Sequence, residues 1–165
     1  MTERELADMA APHSQRFIAR TQEILDSYRR HLGHDLIARS GDVEDEAARL
    51  FAAPFVVLSH GTEPDPVLNY GNAIALQLWE MSADALTRMP SRLTAEPMTH
   101  AARESALQQT RAQGFATGYV GVRIRATGRR FTIENATLWN VLDASGSPAG
   151  QANGQAATFA RWTYL

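Results

Sequence analysis

The chain has 165 residues, of which 44% are hydrophobic and 21% are charged, and its formal net charge is −2. This length and composition predict one soluble globular domain, and the slight negative charge gives no electrostatic basis for binding nucleic acid. The sequence contains no cysteine and no lysine, which excludes disulfides, thiolate nucleophiles and Schiff-base lysine chemistry.

The N-terminal segment, MTERELADMAAP, is charged and lacks the apolar stretch of a secretory signal. No apolar run in the sequence approaches the roughly 20 residues that a membrane-spanning helix requires. We therefore expect a cytoplasmic protein that does not contact a membrane. Residues 1–11 of this segment are expected to form a flexible tail.

Two helices are predicted in the N-terminal helical region, residues 12–53. Apolar side chains recur at helical spacing over 12–32, and Gly33 is a typical helix stop. Asp42 is placed to cap a second helix over 43–52, because its carboxylate can accept orphan backbone amides of the first turn.

The first predicted helix carries a narrow apolar seam, which has two interpretations. The seam either packs on the rest of the domain or pairs with a second copy of the chain, as in a short coiled coil. The second interpretation predicts a homodimer through Phe17, Ile24 and Tyr28.

The stretch over 54–82 reads PFVVLSHGTEPDPVLNYGNAIALQLWEMS. It predicts a buried strand over 55–58, a proline-containing turn and a return strand over 67–70. Asn72 then caps a helix that carries Trp79 on its apolar side. A hairpin followed by a capped helix is typical of the start of a PAS-type sensor domain.

A proline-punctuated connection over 88–97 leads to a helix over 100–113. Strands are predicted over 118–125, 131–142 and 150–163, and the middle strand has apolar groups on both faces, so we expect a bulge or a partial cover. The first strand alternates, with Tyr119, Gly121, Arg123 and Arg125 on one face and Val120, Val122 and Ile124 on the other. One face of the middle strand is predicted to carry Phe131, Ile133, Asn135, Thr137, Trp139 and Val141.

A resemblance to the MEKHLA domain family is carried by five segments: SHGTEPDPVLNYGN, LWEMS, PSRLTAEP, GRRFTIENATLWN and GQAATF. The resemblance covers residues 24–162, and the family occurs alone in bacteria and at the C-terminus of plant class III homeodomain-leucine zipper factors. It implies a PAS-like α+β fold over 54–165, with an antiparallel sheet of about five strands covered on one face by short helices and preceded by the N-terminal helices. The letters MEKHLA do not occur as a run here, so the partner-binding properties of the plant factors are not carried over.

The resemblance implies a non-catalytic sensory or interaction module that binds a small molecule, a protein partner, or both. The ligand would lie in a pocket between the sheet and the helices, and the sequence identifies no cofactor and no metal site. A module without an attached output domain is expected to act through a separate partner. The candidate pocket residues are His60, Asn69, Tyr70, Trp79, Arg92, Glu134, Asn135 and Trp139.

Several of these candidates have a structural alternative. Trp79 and Trp139 are more often core aromatics than ligand contacts in such a pattern, and the favoured role of His60 is to bond backbone groups in the turn. Glu134 and Asn135 interrupt an apolar strand and could form a buried polar or ionic pair, because buried polar groups require partners. The arginines considered for that pair are Arg92, Arg123 and Arg130.

The alternative function is a small α+β enzyme that uses His60 with Glu63 or Glu134 as an acid–base pair. Ser59 and His60 cannot form a nucleophile–base pair, because adjacent strand residues point to opposite faces. The enzyme hypothesis requires the His60 imidazole within roughly 3 Å of a carboxylate in one pocket. His100 stands at the start of its predicted helix rather than in the middle, which argues against the iron-ligating role known in haem-sensing PAS relatives.

Overall fold

The computed structural model describes residues 14–95, 100–143 and 152–165, without the side chains of residues 100–104, 107 and 152. The predicted tail over 1–11, the predicted turn after Asp143 and the side chain of His100 lie outside this description.

Five α-helices and one 3-10 helix lie within the described ranges. They are α1 (Gln15–Leu32), α2 (Val43–Phe51), α3 (Ala73–Trp79), α4 (Ala83–Leu86), the 3-10 helix (Ser91–Thr94) and α5 (His100–Gln113). Four of the starts are capped by side chains that accept amides of the first turn, namely those of Ser14, Asp42, Asn72 and Ser82. These contacts satisfy donors that a helix leaves unpaired, and they confirm the predicted caps at Asp42 and Asn72.

The strands form one antiparallel sheet, as predicted. They are β1 (Val56–His60), β2 (Leu68–Gly71), β3 (Phe115–Ile124), β4 (Arg130–Leu142), β5 (Ala152–Phe159) and β6 (Arg161–Tyr164). The strand order is β2-β1-β5-β4-β3, and β6 pairs with the first half of β4. The predicted final strand is therefore divided at Ala160 into two strands that both pair with β4.

Helices pack on both faces of the sheet, and each face has its own hydrophobic core. Helices α1 and α2 cover the face that we call the α1 face; its core includes Phe17, Ile24, Leu25, Leu50, Val57, Tyr70, Trp139 and Val141. Helices α3 and α4 contribute to the core of the other face, which we call the cavity face; this core includes Val56, Leu58, Leu78, Trp79, Leu86, Phe131, Ile133 and Phe159. The N-terminal helices thus do more than precede the sheet, since they form the second layer on it.

The N-terminal seam packs on the sheet within the chain, so the prediction of a dimer through it is wrong. Phe17, Ile24 and Tyr28 are 3%, 0% and 8% exposed. The Phe17 ring stacks on Tyr70 and the Tyr28 ring meets Trp139 edge-on, each with 5.0 Å between centroids. These surfaces are already buried and are not available to a second copy.

A buried carboxylate joins α1 to α2. Glu46 on α2 accepts hydrogen bonds from Gln22 of α1 at 2.9 Å and from the Arg39 Nε at 3.0 Å. The backbone amides of Ser40 and Gly41 donate to the same carboxylate. Burial by itself raises the pKa of Glu46, but the hydrogen bonds from Arg39, Gln22 and Gly41 outweigh it and lower the pKa to about 2.

Strand β4 changes the face that its side chains point to at a bulge. Asn135 has a φ of 50°, and the β3–β4 register shifts here by one residue. Phe131 before the bulge belongs to the core of the cavity face, whereas Trp139 and Val141 after it belong to the core of the α1 face. The expected bulge is confirmed, but the prediction that these residues share one face is wrong, because the extra residue reverses the alternation.

Among the helices of the described ranges, none has both the length and the apolar character that a membrane crossing demands.

Candidate functional site

A cavity of about 250 Å³, which we call the sheet cavity, lies between the cavity face and helix α5. Residues of the 3-10 helix complete its wall. The apolar lining includes Leu58, Leu68, Ala106, Ile133, Leu138, Ala157 and Phe159. The polar lining includes His60, Ser91, Thr94, Thr110, Tyr119, Arg123 and Gln155. Mainly apolar walls with a few polar groups are usual for small-molecule sites.

Strands β1 and β5 bring their side chains to the sheet cavity in register. His60 pairs with Gln155 and Leu58 with Ala157 across the antiparallel ladder, and all four residues line the cavity. Gly154 has a φ of 107°, and a Cβ atom there would lie 1.8 Å from the His60 carbonyl oxygen. Glycine is therefore required for the two backbones to approach at this point.

Tyr119 of β3 lies in the cavity wall and is 9% exposed. Its hydroxyl is buried and has no hydrogen-bond partner among the described residues. A Cβ atom at Gly121, two residues along the strand, would lie 2.8 Å from this hydroxyl oxygen, so the glycine leaves room for the phenol ring. A buried hydroxyl without a partner costs about 1–3 kcal/mol, which a bound polar group would recover.

Arg123 follows on the same face of β3 and is half-buried in the cavity lining. Its guanidinium carbon lies 5.5 Å from the centroid of the Tyr119 ring. Its Nη1 donates to the carbonyl oxygen of Val122 at 3.3 Å, and its backbone forms a β-bridge with Ala95. None of the ion pairs found in the described part of the chain involves Arg123.

His60 lines the sheet cavity, but it does not form the predicted acid–base pair. Its Nδ1 donates to the carbonyl oxygen of Gly61 at 2.9 Å, so that in the neutral imidazole Nε2 is the acceptor. Glu63 instead accepts from the amide of Val67 on an exposed loop, and Glu134 is exposed on β4. The pairing of His60 with either carboxylate is therefore wrong in this structure, and the enzyme hypothesis loses its candidate base.

Ser59 points to the opposite face of β1 from His60, as predicted, and contacts helix α1. The Arg20 Nε donates to the Ser59 Oγ at 3.2 Å, and the Ser59 hydroxyl donates to the Asn69 Oδ1 at 2.6 Å. Arg20 also donates to the carbonyl oxygens of His60 at 3.1 Å and Asn153 at 2.9 Å. Burial lowers the pKa of Arg20, which the nearby Glu23 partly offsets.

Asn69 lies in a second depression, the side cleft, rather than in the sheet cavity. The side cleft has a volume of about 600 Å³ and lies between α1 and the loop that joins β1 to β2. Its charged lining includes Arg16, Arg20, Glu23, Glu63 and Arg88. The charges are mixed in sign, so this cleft has no single electrostatic character.

Three predicted aromatic pocket residues are core side chains. Tyr70 is buried on the α1 face, its hydroxyl has no hydrogen-bond partner among the described residues, and burial raises its pKa. Trp79 is fully buried against Phe131 and Phe159 beside the cavity, with its Nε1 3.4 Å from the Thr94 carbonyl oxygen. Trp139 is buried on the α1 face, where its Nε1 donates to the Ser27 Oγ at 3.2 Å.

The remaining predicted polar residues lie at the surface. Arg92 is exposed and forms an ion pair with Asp65 at 3.1 Å. Glu134 and Asn135 are both exposed at the bulge of β4. The expected buried pair between these two residues and an arginine is therefore wrong, because a polar interruption of the strand marks the bulge rather than an interior contact.

Sequence reasoning missed the polar residues that line the sheet cavity from β3. The alternation of Tyr119 and Arg123 with valines was visible in the sequence. Val120 is 59% exposed, whereas Tyr119 faces the interior. The polar side of this strand faces inward, which is the reverse of the usual pattern, and that reversal is the signal for a polar cavity. In the described residues, no group of three or more His, Asp or Glu side chains could hold a metal ion.

Comparisons with known proteins agree on the family. The model of the MEKHLA domain matches residues 18–164. The chain is 25% identical over 162 residues to the homeobox-leucine zipper protein REVOLUTA of Arabidopsis thaliana, covering 97% of this chain and 19% of that protein. It is 28% identical over 146 residues to the homeobox-leucine zipper protein HOX29 of Oryza sativa subsp. indica, covering 86% of this chain and 16% of that protein. The chain thus spans less than a fifth of the length of these relatives.

Solved structures show the same fold. A PAS domain from Colwellia psychrerythraea superposes with a TM-score of 0.57 at 14% identity, over 75% of this chain and 98% of that one. An RNA-binding Light-Oxygen-Voltage receptor superposes with a TM-score of 0.55 at 22% identity, over 76% of this chain and 35% of that one. These similarities show a PAS-like fold, the fold of sensory domains.

Proposed function

The chain belongs to the MEKHLA domain family, and we propose that it is a non-catalytic sensory module that binds a small molecule in the sheet cavity. The observation that carries the proposal is the Tyr119 hydroxyl, which is buried in the cavity wall without a partner. Buried polar groups in native proteins are nearly always hydrogen-bonded, so an unsatisfied one calls for an explanation. A ligand in the cavity supplies that partner.

The volume of the sheet cavity suits a compact ligand. Its 250 Å³ lies just below the roughly 300–1,000 Å³ of most small-molecule pockets. A molecule with one ring or a short chain matches this space, and a dinucleotide does not.

The surroundings of His60 support binding rather than catalysis. General acid–base chemistry needs a base that is oriented toward a proton on the substrate. The His60 imidazole instead hydrogen-bonds a backbone carbonyl, and none of the ion pairs in the described part of the chain joins it to a carboxylate. In this proposal His60 contributes its Nε2 as a hydrogen-bond acceptor in the cavity wall.

A signal could leave the cavity through Arg20. His60 and Gln155 line the cavity from paired strands, and the carbonyl of His60 accepts a hydrogen bond from Arg20 on α1. If the ends of β1 and β5 have two conformations, a ligand that binds one of them more tightly increases the population of that conformation. In this proposal helix α1 then shifts on the sheet, and a separate protein partner recognises the new position of the helix.

The experiment is native mass spectrometry of the freshly purified full chain, compared with its mass after denaturation. We expect the native mass to exceed the denatured mass by that of one small molecule. A native mass that equals the chain mass after purification from its own cells would contradict the proposal. The same spectrum gives the number of chains in the assembly.

A further inference from the structure

The sheet cavity has a positively charged end. An arginine guanidinium carries a positive charge in proteins, and that of Arg123 is half-buried in the cavity lining. A partly buried charge is unfavourable unless it is paired. No ion pair within the described ranges involves Arg123, so its positive charge is unpaired among the residues that the structure describes.

A hydrogen-bond donor lies beside this charge. The Tyr119 ring is 5.5 Å from the Arg123 guanidinium carbon, and its hydroxyl is buried without a partner. The two side chains come from positions four residues apart on one face of β3, with Gly121 between them, and line the same cavity. A guanidinium and a phenol hydroxyl placed together form a set of donors for one anionic group.

Most of the remaining cavity wall is apolar, with a few polar groups such as His60 and Gln155. Leu58 of β1, Ile133 of β4 and Phe159 of β5 line it from the sheet. An apolar wall with a cationic end fits a molecule that has a hydrocarbon body and one negative charge. Arg123 is the one arginine in the described lining, so a monoanion matches it better than a dianion.

We propose that the ligand of the sheet cavity is a small monocarboxylic acid whose carboxylate binds Arg123 and the Tyr119 hydroxyl. Its hydrocarbon body lies against Leu58, Ile133 and Phe159. This ligand class rests on the proposed function, because it describes what the same cavity binds. The carboxylate satisfies the hydroxyl of Tyr119 and neutralises the charge of Arg123 in one contact.

The test uses two pairs of probes that differ in charge and hardly in shape: phenylacetate with phenylacetamide, and hexanoate with hexanamide. The full chain is refolded from denaturant to remove any bound molecule, and dissociation constants are measured by NMR titration of backbone amide signals. We expect each acid to bind at least about tenfold more tightly than its amide, since a charged hydrogen-bonded pair is lost with the amide.

Three variants locate the preference. Arg123→Gln should remove the preference for the acid and leave amide binding unchanged, and Tyr119→Phe should weaken acid binding severalfold while preserving the ring. Arg111→Gln is the matched control, because Arg111 is an exposed residue of α5 outside the lining. If Arg123→Gln does not fold, Arg123→Lys keeps the charge without the two-pronged geometry and should retain only part of the preference.

Different results separate this inference from the proposed function. Equal binding of acid and amide, or a preference that survives Arg123→Gln, overturns the carboxylate while leaving a ligand-binding cavity in place. Absence of binding in both series also overturns the carboxylate, and the native mass measurement then decides the proposed function independently. A preference that disappears in Arg111→Gln as well would place the effect outside the cavity and overturn the assignment to Arg123.

Discussion

The guanidinium of Arg20 on helix α1 donates a hydrogen bond to the carbonyl of His60, whose side chain lines the sheet cavity on the other face. The same guanidinium holds the Ser59 hydroxyl and the carbonyl of Asn153. One buried side chain therefore connects the N-terminal helix with the ends of β1 and β5.

Replacing Arg20 should destabilise the fold far more than replacing an exposed arginine of the same helix. Arg20→Met keeps much of the side-chain length but leaves the Ser59 hydroxyl and two carbonyl oxygens without this donor. We expect a loss of about 2–4 kcal/mol in the free energy of unfolding, measured by urea denaturation. Arg16→Met, at an exposed position one turn earlier, is the control and should change it by less than about 0.5 kcal/mol. Equal losses in both variants would show that the Arg20 contacts contribute nothing specific.

Filling the sheet cavity should exclude its ligand. Ala157 pairs with Leu58 and Leu138 in the floor of the cavity, so Ala157→Leu puts added methyl groups into the open space. We expect the extra native mass to disappear in this variant while the circular dichroism spectrum stays that of the wild type. Ala48→Leu adds the same groups at an exposed position of α2 and should retain the extra mass. Retention of the extra mass by Ala157→Leu would mean that the molecule binds elsewhere.

The Glu46 carboxylate should make the stability of the N-terminal layer depend on pH. Its pKa falls from 4.5 to about 2 in the folded chain, so the folded state favours the ionised form. The stability from this carboxylate is fully present above about pH 4.5 and is lost as the pH falls toward 2. We expect Glu46→Gln to lower the free energy of unfolding at pH 7 by on the order of 1–3 kcal/mol.

The measurement is urea denaturation of both proteins from pH 7 to pH 3. The difference between wild type and Glu46→Gln should shrink below about pH 4.5, because protonation then removes the same charge from the wild type. Glu44→Gln, at an exposed position of the same helix, is the control and should show a far smaller difference. A difference for Glu46→Gln that stays constant with pH would contradict the ionised, hydrogen-bonded state of this carboxylate.

The bulge residue Asn135 should tolerate glycine and reject a β-branched residue. Its φ of 50° lies in the left-handed region, which asparagine and glycine adopt at low cost and which valine strongly disfavours. We expect Asn135→Val to lower the free energy of unfolding, measured by urea denaturation, by about 1–2 kcal/mol. For Asn135→Gly this free energy should stay within about 0.5 kcal/mol of the wild-type value. Because the side chain is exposed, lost packing cannot explain such a difference. Equal stability of the two variants would argue against the bulge.

The features that the sequence predicted well are those that depend on neighbouring residues. Asp42 and Asn72 cap their helices as expected, because a cap needs only its own side chain and the next few amides. The PAS-like antiparallel sheet follows from the family resemblance, whose motifs extend over most of the chain. Local chemistry and a long resemblance were therefore sufficient for the helix caps and for the PAS-like sheet.

The errors concern what a patterned surface packs against. Helical spacing identified the apolar side of α1 correctly, but the same spacing suits a dimer seam and a sheet. The alternation of β4 was misjudged because one residue, Asn135, adds a position that no periodicity contains. The cavity residues Tyr119 and Arg123 were missed because their role depends on the helix that packs over them, which the strand pattern does not specify.

The alternation of β1 places two separate functions in one short strand. The side chains of Val57 and Ser59 face the layer formed by the N-terminal helices, whereas those of Leu58 and His60 face the cavity. Loss or gain of a single residue before Val57 would exchange these two sets at once, since the side-chain period of a strand is two. The register of β1 therefore fixes both the residues that contact helix α1 and the residues that line the cavity. A shift that alters one set necessarily alters the other.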